Sequence, residues 1–479
     1  MSSLPQQLFR RRMPEGVHDV GTPISIAQVP ARGEHRPKLK RSLSTLQLTL
    51  VGVGGTIGTG IFFILSEAVP EAGPAVLVSF LLAAAVAGLT VLCYAELAST
   101  MPSSGSSYSY TYATMGELMA FVVGACLILE YGVSAAAVAV GWSEYLNLLL
   151  QNLVGWSLPE ALSAAPEAGG VINLPAVVLV GLCVFLLLRG ARESALANSI
   201  MVLIKVGVLV LFAGIALTGF RADHFQDFAP AGISGISIAA GSLFFSFIGL
   251  DAIATAGDEV KDPRRTIPRA LLFALLIVTG VYVLVALAAL GAQQWTEFSG
   301  QTASLATIVQ NLVGSSWPGT LLAVGAVISI FSVTLICLYG QTRILFTMGR
   351  DGLVSRRFAK VSARRSVPVF NTLTVGAGVA ILAGLLPIGI LADLTSIGTL
   401  TAFGLVAVGV MVLRRTAPDL DRGFRVPGYP VTPILTVAAC AYLVSGLSGV
   451  TLAAFAGWVV LALVFYFAWS RRHSELATL

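Results

Sequence analysis

Charge is what this sequence has least of. Asp, Glu, Lys and Arg make up 11% of its 479 residues, whereas soluble domains carry about 25%, and that scarcity excludes an ordinary soluble globular fold. Histidine is scarcer still. His18, His35, His224 and His473 all lie in tails or a loop, which leaves an intramembrane metal site or a histidine-assisted nucleophile without residues to build on. The five cysteines, Cys93, Cys126, Cys183, Cys337 and Cys440, are far apart, form no CxxC pair and sit in apolar runs, where they read as reduced small hydrophobes. No motif calls for a cofactor or a metal, which argues against an enzyme.

Apolar sequence fills the gap. Hydrophobic residues make up 56% of the chain and the mean hydropathy is +0.86, the composition of a polytopic membrane protein. Runs long enough to cross a core of about 30 Å as helices fall at 44–66, 74–99, 114–149, 174–190, 197–219, 232–257, 268–291, 317–349, 369–387, 392–413, 431–447 and 450–470. The fold class predicted is therefore all-α and integral to the membrane, with twelve transmembrane helices.

Orientation follows from the basic residues. With the N-terminus in the cytoplasm, 27 of the 29 Lys and Arg fall on the cytoplasmic side, the asymmetry expected of short cytoplasmic loops. Only Arg221 in an outer loop and Lys205 inside a span depart from it. Both termini are thus expected to be cytoplasmic, in a plasma or inner membrane. Topology also accounts for the net charge of +5, so no nucleic-acid partner is implied. Residues 1–42 lack the apolar core of a signal peptide and are expected to form a flexible tail.

Several features break the rules of a membrane helix. VGVGGTIGTGIF at residues 51–62 crowds glycine into the first span, although each costs about 1 kcal/mol relative to alanine in a helix. Gly54 and Gly58 fit a GxxxG packing face, but Gly55, Gly60, Thr56 and Thr59 are left over, which favours an unwound segment. Irregular backbone at membrane depth is tolerated only inside protein or around a cavity. The half-helix starting at Ile61 would then point amide donors at an anion, while carbonyls of the preceding half would suit a cation, a match for an amino acid zwitterion. A matching break is expected five spans later, at Gly249 and Asp251 in SLFFSFIGLDAIATAGDE.

Three ionisable residues lie inside spans: Glu130, Lys205 and Asp251. Buried charge in a membrane is expensive and marks function by default. Ser134, Ala137 and Gly141 continue the Glu130 face as a small-residue stripe that should look into protein, with a structural acid bonded to neighbouring helices as the second reading. Lys205 lies about 12 Å into its span at about 1.5 Å per residue. It either snorkels or points inward as an ammonium able to exchange a proton.

TIGTGIF, CYAELASTMPSSGSSYSYTY, FFSFIGLDAIATAGDEVKDPRRTIPRA, GQTRILFTMGRDGL and FRVPGYPVTPILTVAAC, in this order over residues 40–470, resemble the cationic amino acid transporter family of the amino acid, polyamine and organocation superfamily. The resemblance implies two inverted five-helix repeats, at 43–219 and 232–413, whose first helices, spans one and six, are discontinuous. Two further helices at 431–470 and a short cytoplasmic end at 471–479 complete the chain. It implies alternating access for an L-amino acid, with Thr59 and Gly60 offering amides to the carboxylate. Thr56, Phe245, Ser246 and Ile248 would receive the ammonium, and Phe245 would also form a lid. Lys205 would replace a sodium site, making the proton the coupling ion, and Glu130 and Asp251 would lie near the side-chain pocket. Arginine, lysine or ornithine would suit two acids; small neutral amino acids are the alternative.

PSSGSSYSYTY reads as a strand or an interfacial loop and is expected at the cytoplasmic interface. The mixed charges of DEVKDPRRTIPRA are expected to form loop-to-loop salt bridges. An importer coupled to protons leads the functional readings, with an exchanger close behind. A non-transporting sensor lacks a large soluble domain, and a channel lacks a ring of repeated charges. Beyond substrate, proton and bulk lipid, the sequence gives no sign of a partner subunit.

Overall fold

The computed structural model describes residues 43–58, 60–102, 105–190, 195–256, 260–362 and 367–475. The expected tail over 1–42 and the site residue Thr59 lie outside the described residues. Within them the chain is a bundle of helices, eight of which are long and apolar enough to cross a membrane, accompanied by shorter apolar ones. It is a multi-pass membrane protein. Its outer faces carry exposed large hydrophobics such as Leu203, Leu276 and Val460, at 69%, 67% and 59% exposure. Surfaces this apolar are stable only against lipid.

The first span divides into α1 (Thr45–Thr56) and α2 (Leu65–Ala72), with irregular backbone between. Ser44 and Gln47 cap α1 reciprocally, satisfying donors that a helix start otherwise leaves bare. α3 (Val76–Thr100) follows a turn at Gly73, and α4 (Ser106–Thr114) precedes the long α5 (Glu117–Val154). α6 (Leu174–Leu188) and α7 (Ala195–Ala216) complete the first half.

The second half opens with α8 (Gly232–Leu243), a tight turn over Phe244–Phe247 and the short α9 (Ala252–Thr255). α10 (Pro263–Ala292), α11 (Ser304–Val313), α12 (Ser316–Arg350), α13 (Val369–Leu385) and α14 (Ile388–Thr416) follow. α15 (Val431–Ser445) and α16 (Gly449–Phe465) end the bundle. α10 packs on both α1 and α3, while α2 packs on α8. The two broken helices therefore lie against each other at the centre.

Two expectations need correction. The tyrosine-rich stretch after the second span is neither strand nor interfacial loop but the helix α4, and Tyr108, Tyr110 and Tyr112 are buried. Tyr108 donates to Asp351 Oδ2 at 2.9 Å and Tyr112 to Glu117 Oε2 at 3.2 Å, so acids from α5 and the end of α12 partner the buried hydroxyls. The second half of the first span also starts later than Ile61. Phe63 and Ile64 both bond to Gly60 O, and regular helix begins at Leu65.

Loop-to-loop pairing is present where it was expected, in Arg264 with Asp421 at 2.6 Å. A stronger clamp lies deeper. Glu96 on α3 is fully buried and takes a bidentate pair from Arg414 of α14, at 2.8 and 2.5 Å, the amide of Val426 at 2.7 Å, and Arg422 at 3.4 Å.

Candidate functional site

The break in the first span begins where α1 runs out of ladder. Ile57 N still donates to Val53 O at 2.8 Å, but Gly58 turns to φ +114°, a conformation that only glycine adopts readily. The carbonyl of Gly54, which the next helical amide would have taken, instead accepts from Lys205 Nζ at 2.9 Å. Lys205 is 1% exposed; it reaches inward from α7 and does not snorkel.

The break in the sixth span mirrors this. Ile248 leaves the tight turn with extended backbone, Gly249 has φ +101°, and helix resumes at Ala252. At their closest the two breaks touch backbone to backbone. A Cβ on Gly249 would lie 2.5 Å from Gly55 O and 3.0 Å from Thr56 N, and one on Gly55 would lie 3.2 Å from Gly249 O. Gly60 sits under the same turn, where a Cβ would strike Ser246 Oγ and lie 3.0 Å from the Phe245 ring. Phe245 in turn lies beside Phe63, ring centroids 5.9 Å apart.

Unwinding frees carbonyls, and hydroxyls from other helices meet them. Tyr282 of α10 places its hydroxyl 2.9 Å from both Thr56 O and Ser246 O, one carbonyl from each break, so its single proton serves either. Tyr145 of α5 donates to Phe62 O at 2.6 Å. With no water in the hydrocarbon core, such partners are what allows irregular backbone at this depth.

Glu130 is buried on a one-turn π-helical segment, Leu129–Val133, inside α5. Such bulges re-aim side chains and are frequent at functional sites. Neither Glu130 oxygen has a hydrogen-bond partner among the described residues; Thr399 stands beside it but gives its proton to Thr395 O at 3.0 Å. Asp251 stands just before α9, and its Oδ2 accepts from Tyr131, the residue next to Glu130, at 2.7 Å. The Ser134, Ala137 and Gly141 stripe is buried as expected.

Thr56, Gly60, Phe245, Ser246 and Ile248 therefore come together at the crossing of the breaks, with Lys205 behind the first of them. Glu130 and Asp251 form a second, adjoining cluster with Tyr131. Thr59 falls outside the described residues, so its expected amide has no position here. Tyr131, Tyr145, Tyr282 and the π segment escaped the sequence reading. A lone tyrosine inside an apolar run, as in GVYVLVALAAL, was the available signal for Tyr282, since a buried hydroxyl requires a partner.

A family model described as amino acid permease matches residues 43–473. The chain is 42% identical to the branched-chain amino acid permease BcaP of Bacillus subtilis, over 94% of this chain and 98% of that protein. It is 40% identical to a methylthioribose transporter of the same organism, over 91% and 95%. Human cationic amino acid transporter 4 is 36% identical over 80% of this chain and 62% of its own length.

Proposed function

The chain belongs to the amino acid permease family, and we propose from that premise that it is a secondary active carrier of L-amino acids working by alternating access. It is a transporter, not an enzyme. One observation carries the reading: two interrupted helices meet at Gly55 and Gly249 inside the protein, the arrangement in which discontinuous helices can offer a zwitterion backbone groups of both signs. Gly60 is assigned to the carboxylate, together with the expected amide of Thr59. The carbonyls around Thr56, Phe245, Ser246 and Ile248 are assigned to the ammonium, with Phe245 as lid.

We assign a neutral, branched apolar side chain to the substrate. Phe63, Phe245 and Ile248 surround the crossing with apolar side chains. Similarity to BcaP supports the same class. The second reading is a cationic amino acid, favoured by the two Glu130 oxygens without protein partners and by the likeness to the cationic transporters.

For coupling, we propose proton symport into the cell, with both termini cytoplasmic and with Lys205 as the group that binds and releases the proton. As an ammonium it holds Gly54 O; as an amine its grip on the break weakens. The two inverted repeats over 43–219 and 232–413 are proposed as the moving parts.

Purified protein in liposomes decides among these. Uptake of labelled leucine, isoleucine and valine driven by an inside-alkaline gradient is expected, with arginine and lysine failing to compete. Arginine uptake with no leucine uptake would transfer the assignment to the second reading. Uptake that ignores the gradient but requires internal amino acid would make the protein an exchanger.

A further inference from the structure

Arg343 is a cation without a counter-ion among the described residues. It projects from α12 seven residues before the helix ends at Arg350, a depth of about 10 Å at about 1.5 Å per residue, and among the described residues no carboxylate pairs with it. Its guanidinium is nonetheless held in place. Nε and Nη2 donate to the Tyr339 hydroxyl at 2.8 and 2.5 Å, and the group lies 5.0 Å from that ring's centroid.

Beside it is a cavity of about 100 Å³ where the ends of α6, α12 and α13 converge. That is space for one phosphate group. Its walls are apolar, with Leu187, Phe346 and Val367, and Thr372 adds a hydroxyl. Phe370 and Leu373, 46% and 51% exposed, adjoin the lining residues Pro368 and Thr372 in sequence and give this end of α13 an apolar outer face.

We propose that this pocket binds an anionic phospholipid from the leaflet bordering the basic loops, with the phosphate on Arg343 and the acyl chains along α6 and α13. A soluble anion has no use for an apolar face, and a zwitterionic lipid brings its own cation to a site already bearing Arg343. Basic pockets between helices at this level suit acidic headgroups. The bound lipid would tie α12 to α6 and α13, whose contacts must change if the bundle rocks.

Native mass spectrometry of the full-length protein in detergent tests this, with dioleoylphosphatidylglycerol against dioleoylphosphatidylcholine. The phosphatidylglycerol adduct is expected to dominate, to fall about fivefold in R343Q, to survive in part in R343K and to be unchanged in R264Q. Inorganic phosphate and glycerol 3-phosphate should not displace it. Equal retention of both lipids, or equal phosphatidylglycerol binding by R343Q and the parent, would overturn the proposal. Displacement by inorganic phosphate would also overturn it, by making the site one for a soluble anion. If R343Q does not fold, Val361→Glu places an acid at an exposed lining position, and an undiminished phosphatidylglycerol adduct there is likewise fatal.

Discussion

Lys205 Nζ donates to the carbonyl of Gly54 at 2.9 Å, joining α7 to the last turn before the first helix breaks. An ammonium fills the place where a freed carbonyl would otherwise welcome a metal cation or face apolar surroundings unpaired. Lys205→Ala is expected to abolish accumulation driven by a pH gradient while leaving counterflow exchange of preloaded substrate. An unchanged pH profile of uptake in the variant would remove the proton from Lys205.

Tyr282 serves both breaks with one hydroxyl. Tyr282→Phe keeps the ring and removes the hydroxyl that Thr56 O and Ser246 O both accept from, a loss of about 0.5–1.5 kcal/mol for a hydrogen bond. Thermal unfolding in detergent should show a lowered midpoint with substrate selectivity retained. An unaltered midpoint would mean the two breaks do not depend on this bridge.

The crossing at Gly55 and Gly249 leaves no room for a side chain. Gly249→Ala adds a Cβ at 2.5 Å from Gly55 O to a residue at φ +101°, and overpacking alone costs about 1–3 kcal/mol. Transport should fall to background even where folded protein is recovered. Gly280→Ala, a helical position of α10 with open space around its Cβ, is the control and should transport normally.

Much of this arrangement was readable beforehand, because glycine crowding, Asp251 and Lys205 are each anomalous in an apolar span and anomalies have few physical causes. Other parts were not readable. The π segment Leu129–Val133 has no composition of its own, and α4, SSYSYTYAT, is made of poor helix formers that are held by Asp351 from the far end of α12 and by Glu117 at the start of the next helix. α11, at ten residues, is too short to register as a span. The glycine cluster itself divided into roles that spacing alone did not separate. Gly54 makes room for Val202 and Asn198 of α7, Gly55 for the other break, and Gly58 supplies the turn.

Glu96 carries two arginines on one buried carboxylate. Glu96→Ala would leave both guanidinia near the membrane without it, and breaking a buried pair from one side costs about 3–5 kcal/mol. Yield and thermal midpoint should fall far more than for Asp421→Ala, which removes only the exposed partner of Arg264 and is expected to be nearly neutral. Equal effects would deny the buried clamp its role.

The central claim is that the crossing of the broken helices binds both charges of an amino acid, and equilibrium binding of labelled L-leucine to the purified protein tests it most directly. The account predicts displacement by L-isoleucine and L-valine, none by isoamylamine or 4-methylpentanoate, which each lack one of the two charges, and no binding at all to folded Gly60→Leu. Competition by either single-charge analogue, or unchanged affinity in Gly60→Leu, would contradict it.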